Sequence, residues 1–102
     1  MSEPKHVLVV DDEPAICWAF EKMLSQEGHT VSTASSAEDG IPIADEIEPD
    51  LIVLDVRLPG EDGLSALPKF LKASPRSPVV IITAFGDLDT AVLAVQGGAI
   101  DY

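Results

Sequence analysis

The feature that most restricts the fold is a set of short, uninterrupted apolar runs, Val7 to Val10, Leu51 to Leu54 and Val79 to Ile82, built from β-branched residues and leucine. Continuous runs of strand length mark strands buried on both faces, as in a parallel sheet. Thr30 to Ala34 is a weaker, more polar strand suited to a sheet edge. Between these runs the apolar period changes to that of a helix. Ile16, Ala19, Phe20, Met23 and Leu24 form one apolar stripe, with Pro14 in the first turn and Gly28 as the stop. Ser35 or Ser36, with Glu38 or Asp39 after it, reads as a capping box for a second helix. Its inward residues are Ala37, Ile41, Ala44 and Ile47, and Pro42 is expected to kink or loosen it. A third helix is expected from about Leu64 to Ala73, with Leu67 and Leu71 inward and Pro68 disturbing it likewise. Asp87 is a good N-cap for a fourth, with Leu88, Ala91, Val92 and Val95 inward and Gly97 and Gly98 as its stop. Ala99 to Tyr102 looks like the start of another strand. This alternation implies right-handed βαβ crossovers and a doubly wound α/β fold, a parallel sheet with helices on both faces.

A chain of 102 residues makes one small domain. Six basic against 18 acidic residues give a formal charge of −12, which repels phosphate backbones and anionic lipid headgroups, so direct nucleic-acid binding and membrane binding are not expected. The single cysteine, Cys17, excludes an internal disulfide, and the apolar stretches are far shorter than a membrane helix. A cytoplasmic location is the expectation.

The chemistry lies at the carboxyl ends of the strands. Val7 to Val10 ends in Asp11, Asp12 and Glu13, Asp55 closes Leu51 to Leu54, and Thr83 closes Val79 to Ile82. Taken singly, each acid would merely begin a loop or cap a helix. If the strands are parallel neighbours, three or four acids meet within a few ångströms, and charges that close raise one another's pKa unless a cation lies among them. A hard divalent ion is the simplest solution. Gly60 and Gly63 after Asp55, and Gly86 after Thr83, would let backbone approach a ligand closely, and Pro59 and Gly60 mark a turn. No histidine or cysteine is placed to complete a hydrolase triad or a zinc site. His6 and His29 fall at the opposite ends of their elements and are expected to be solvated surface residues. Walker and dinucleotide glycine patterns are absent. What remains is a magnesium site with a carboxylate nucleophile beside it.

Four segments in order now resemble the receiver domains of two-component response regulators: Val9 to Pro14, Asp50 to Asp55 with Pro59-Gly60 and Asp62 to Leu64, Val80 to Ala84, and Gly98 to Tyr102. Trp18 and the stretch from Thr83 through Val92 resemble the NtrC type of transcription activator. The resemblance implies a CheY-like, flavodoxin-like sheet of order 2-1-3-4-(5), with residues 1–102 as one receiver domain. It implies that Asp55 accepts a phosphoryl group from a phosphohistidine on a sensor histidine kinase. Asp12 and Asp55 would bind Mg2+ directly, Asp11 through water, and the backbone carbonyl of Arg57 would complete the protein ligands. Thr83 would hydrogen-bond the phosphate, with small Ala84 leaving room for it. Arg57 and Phe85 would tune how long the phosphate survives, and Tyr102 would be the switch aromatic. A C-terminal effector domain in a longer chain is the implied output, and a homodimer is a further partner state. Trp18 and Leu93 lie off the inward stripes and are candidate interface residues.

The family carries a lysine three residues beyond the switch aromatic, on a fifth strand followed by a fifth helix. The sequence stops at Tyr102, so it is expected to be a piece of a longer regulator, or else a shortened domain that covers its edge by self-association. The competing functions are an unphosphorylated receiver-like interaction module and, less well supported, an aspartate-nucleophile phosphatase. The latter normally needs a second acid two residues after the nucleophile, where this chain has Arg57.

Overall fold

The computed structural model describes residues 3–82 and 96–99. Four strands, β1 (His6–Val10), β2 (Thr30–Ala34), β3 (Leu51–Asp55) and β4 (Val79–Ile82), alternate with three helices, α1 (Pro14–Gln26), α2 (Ala37–Ile47) and α3 (Gly63–Ala73). The strands form one sheet in the order β2-β1-β3-β4, every pairing parallel. The polar strand β2 stands at an edge, and β1 and β3, apolar from Val7 to Val10 and from Leu51 to Leu54, are central, as their compositions require. The expected fourth helix, from its Asp87 N-cap to Val95, lies outside the described residues. Gln96 is helical, and Gly97 and Gly98 form the turn after it.

The larger core lies between the sheet and the helices α2 and α3. There Leu8, Val10, Ile52, Leu54 and Ile81 meet Ala37, Ala44, Ala66, Leu67 and Phe70. Phe70 is the largest fully buried side chain among the described residues, although the sequence pattern points to Leu67 and Leu71. On the other face, Cys17, Phe20 and Leu24 of α1 pack against Val7, Val9 and Val53. Ala19 and Met23, expected on that stripe, are exposed instead. The stripe is rotated by about one residue, because a helix lying over a sheet buries only a narrow band of its surface.

Local signals explain the helix starts. Pro14 opens α1, the Ser36 hydroxyl accepts the Asp39 N–H at 3.2 Å, and Asp62 accepts the Ser65 N–H at 2.9 Å. Both α2 and α3 run on through Pro42 and Pro68. Each proline lies on the solvent side, where water can take the carbonyl that the missing N–H leaves unpaired.

At the amino edge of the sheet, Asp50 ties β1 to β3. Its carboxylate accepts the His6 N–H at 2.8 Å and its own N–H reaches the His6 carbonyl at 2.8 Å. The two histidines are not merely solvated. His6 Nε2 shares a hydrogen bond with Ser32 Oγ at 2.7 Å, and His29 Nδ1 accepts the Lys5 N–H at 3.0 Å.

Candidate metal centre

In a parallel sheet all strands end on one edge, and the register places the ends of β1 and β3 side by side, Val10 beside Leu54. The residues that follow or close these strands are the acids. Asp11 donates its N–H to the Ala34 carbonyl at 3.0 Å, carrying the ladder one step beyond β1. Its Oδ1 accepts the Glu13 N–H at 2.9 Å in the turn that leads into α1. Asp55 is the last residue of β3, and its Oδ1 accepts the Arg57 N–H at 3.2 Å. The chain then leaves the sheet through a bond from the Val56 N–H to the Ile82 carbonyl at 3.1 Å.

Carboxylate oxygens from Asp11, Asp12 and Asp55, one from each, lie within 4.8 Å of one another. Asp11 is 4% and Asp55 9% exposed, while Asp12 stands at the open mouth. Burial is the main reason that the Asp55 carboxyl is pushed up to about 6; the charges of Asp11 and Asp12 and hydrogen bonding with Asp11 add to the rise, and the Arg57 N–H opposes it. Ionising Asp55 therefore costs free energy, and a cation placed among the three acids would offset that cost. The donor set is hard oxygen, which suits Mg2+ rather than zinc. Cys17 is not a soft ligand in waiting. Its thiol faces the Asp11 carbonyl at 3.3 Å, and burial, followed by the Asp11 charge, raises its pKa.

Two open clefts flank Asp12. One, of about 460 Å3, lies against Pro14, Cys17, Trp18 and Asp39. The other, of about 600 Å3, lies against Val56, Arg57, Pro59 and Asp62. Asp12 lines both clefts and Asp11 the first, so these two acids can be reached from solvent.

The structure brings together Asp11, Asp12 and Asp55, and turns the Arg57 backbone onto Asp55. Trp18 is 60% exposed on α1. Thr83, Phe85, Leu93 and Tyr102 lie outside the described residues. Gly60 and Gly63 each also make room for the protein's own atoms, a side-chain carboxylate at Gly60 and main chain at Gly63. A Cβ on Gly63 would overlap the Asp55 carbonyl oxygen, and one on Gly60 would press on the Glu38 carboxylate. Glu38 was legible only as a helix-capping acid, because a contact between α2 and the loop after β3 leaves no local sequence pattern.

A family model of the response regulator receiver domain matches residues 7–102. The DNA-binding transcriptional regulator NtrC of Salmonella typhimurium is 41% identical over 96 residues, covering 94% of this chain and 20% of that protein. The crystal structure of NtrX from Brucella abortus superposes with a TM-score of 0.88 at 39% identity, over 97% of this chain and 22% of that one. A response regulator from Burkholderia pseudomallei, crystallised with a phosphorylated aspartic acid, calcium ion and citrate, gives 0.88 at 26% identity over 93% and 56%. The chain thus spans about a fifth of the length of its NtrC and NtrX relatives. Among the described residues no helix is long and apolar enough to cross a membrane.

Proposed function

The chain belongs to the response regulator receiver domain family, and we propose that residues 1–102 act as one receiver whose phosphoacceptor is Asp55. The observation that carries this reading is the placement of Asp55 at the end of β3, with Asp11 and Asp12 within 4.8 Å. The donor is a phosphohistidine on a sensor histidine kinase. A carboxylate oxygen of Asp55 attacks phosphorus, the new P–O bond replaces the P–N bond, and the imidazole leaves with that electron pair and takes a proton from solvent.

Asp12 and Asp55 would hold Mg2+ directly, Asp11 through water, and the Arg57 carbonyl would add a neutral oxygen. Bound there, the ion supplies positive charge to the acids and to the phosphoryl oxygens in transfer. The protein's own residues do the rest. Asp11 and the Arg57 N–H orient the Asp55 carboxylate, and the two clefts beside Asp12 admit the donor. Thr83 hydrogen-bonds the phosphate on Asp55, Arg57 and Phe85 govern its lifetime, and Tyr102 relays the change to an effector domain that regulates transcription. The cycle is stoichiometric self-modification, and the relatives' greater length accommodates the output.

The test is incubation of the 102-residue chain with acetyl phosphate and Mg2+, followed by intact mass measurement and hydroxylamine treatment. A hydroxylamine-labile phosphate adduct is expected in the native chain and none in Asp55→Asn. An adduct of equal yield in the variant, or none in the native chain, overturns the proposal.

A further inference from the structure

The loop from β3 to α3 is fixed at both ends by main-chain bonds: the Val56 N–H to Ile82 at 3.1 Å, and the Gly63 N–H back to the Val56 carbonyl at 2.8 Å. Its tip, Gly60 and Glu61, projects toward α2. There the Glu38 carboxylate meets it. Glu38 Oε1 accepts the Glu61 N–H at 3.4 Å. Gly60 has a left-handed φ of 75°, and Oε1 lies 3.0 Å from where its Cβ would be, so the carboxylate rests on the bare face of the glycine. The Glu61 side chain goes the other way, to Lys69 on α3 at 2.8 Å. The tip is therefore clamped between two helices.

We infer that Glu38, far from Asp55 in the chain, is a positioning residue that holds the tip of this loop and thereby the Arg57 backbone beside the metal centre. Main-chain hydrogen bonds, first from its own N–H and then from Glu61, also hold the Glu38 carboxyl below the usual carboxylate range, as expected of an acceptor engaged as the anion. Only Leu58 and Pro59 separate Arg57 from Gly60, so freeing the tip loosens the aim of the Arg57 carbonyl. The consequence for Mg2+ rests on the function proposed above; the contact itself does not.

Two variants separate the hydrogen bond from the charge. Glu38→Gln keeps an acceptor oxygen, Glu38→Ala does not, and both remove the same negative charge. In the metal-free 102-residue chain, exchange of the Glu61 amide followed by NMR should be about threefold faster in Glu38→Ala than in Glu38→Gln. The Kd for Mg2+, from NMR titration, should be weaker by a similar factor. Equal Kd values for the two variants overturn the inference, and so does equal Glu61 exchange. Failure of the native chain to bind Mg2+ would instead sink the proposed function, leaving the exchange measurement to decide whether Glu38 positions the loop.

Discussion

A Cβ placed on Gly63 would lie 2.1 Å from the carbonyl oxygen of Asp55, so the first turn of α3 rests directly on the backbone of a residue of the acid cluster. The Gly63 N–H, bonded to Val56 at 2.8 Å, holds that approach. Because the colliding atom is main chain, neither partner can rotate away, and a side chain at position 63 must push α3 off the end of β3. Gly63→Ala is expected to cost about 2–4 kcal/mol. Urea denaturation checks this, and a change below about 0.5 kcal/mol would refute the packing account.

Asp55 itself is expected to weaken the metal-free fold. Its carboxyl titrates near 4 in the unfolded chain and is pushed up to about 6 in the folded one, chiefly by burial. An acid with a raised folded pKa favours the folded state most when both states are protonated. That advantage is present below about pH 4 and disappears as pH rises through about 6. Asp55→Asn has no such dependence at this position. In a metal chelator at pH 7 the variant should therefore be more stable than the native chain by about 1–2 kcal/mol, discounted for water at the open mouth, and the gap should close toward pH 4. Denaturant melts of both proteins across this range test it, and a pH-independent difference contradicts it.

How much of this was legible depended on how local each signal is. The strands were, because Val7 to Val10 and Leu51 to Leu54 are apolar without interruption, and a run buried on both faces allows few alternatives. The acid cluster followed, since residues ending parallel neighbours must share an edge; the 4.8 Å grouping of Asp11, Asp12 and Asp55 is the outcome. The inward face of α1 was misplaced at Ala19 and Met23, because i, i+3, i+4 spacing is satisfied almost as well by a stripe turned to include Cys17. Phe70 escaped notice beside Leu67 and Leu71 because all three are apolar, and only tertiary packing selects which is enclosed. Glu38 and Gly63 owe their roles to contacts across elements, which neither composition nor period encodes.

Trp18 exposes 60% of its surface, and Lys22 sits over its ring at 4.9 Å from the centroid. Its packing contribution is accordingly small, and Trp18→Ala should alter the unfolding free energy by less than about 1 kcal/mol. The same variant should react with acetyl phosphate at the native rate yet accept phosphate more slowly from a sensor kinase, because a small donor can enter by the cleft beside Arg57, which Trp18 does not line, and a protein donor also needs the surface of α1. Slowing in both reactions, or in neither, would argue against Trp18 as a docking residue.

Metal should reverse the order of stability that Asp55 imposes. In the chelated protein, the ionised carboxylates repel one another across less than 4.8 Å. Divalent charge placed among them turns that repulsion into attraction, and binding confined to the folded state stabilises it by mass action. At ten times its Kd, Mg2+ should add about 1.4 kcal/mol, or roughly 5–10 °C in Tm for a domain of this size. Asp12→Ala and Asp55→Asn should each lose most of that gain, because each removes one of the three clustered carboxylates. The native chain, less stable than Asp55→Asn in chelator, should then draw level with it, and should exceed it at a hundred times the Kd, where the ion adds about 2.7 kcal/mol. Thermal melts of the three proteins with and without the ion decide the matter. A Tm that rises equally in all of them would mean that the ion acts on the general charge of −12 and not on this cluster.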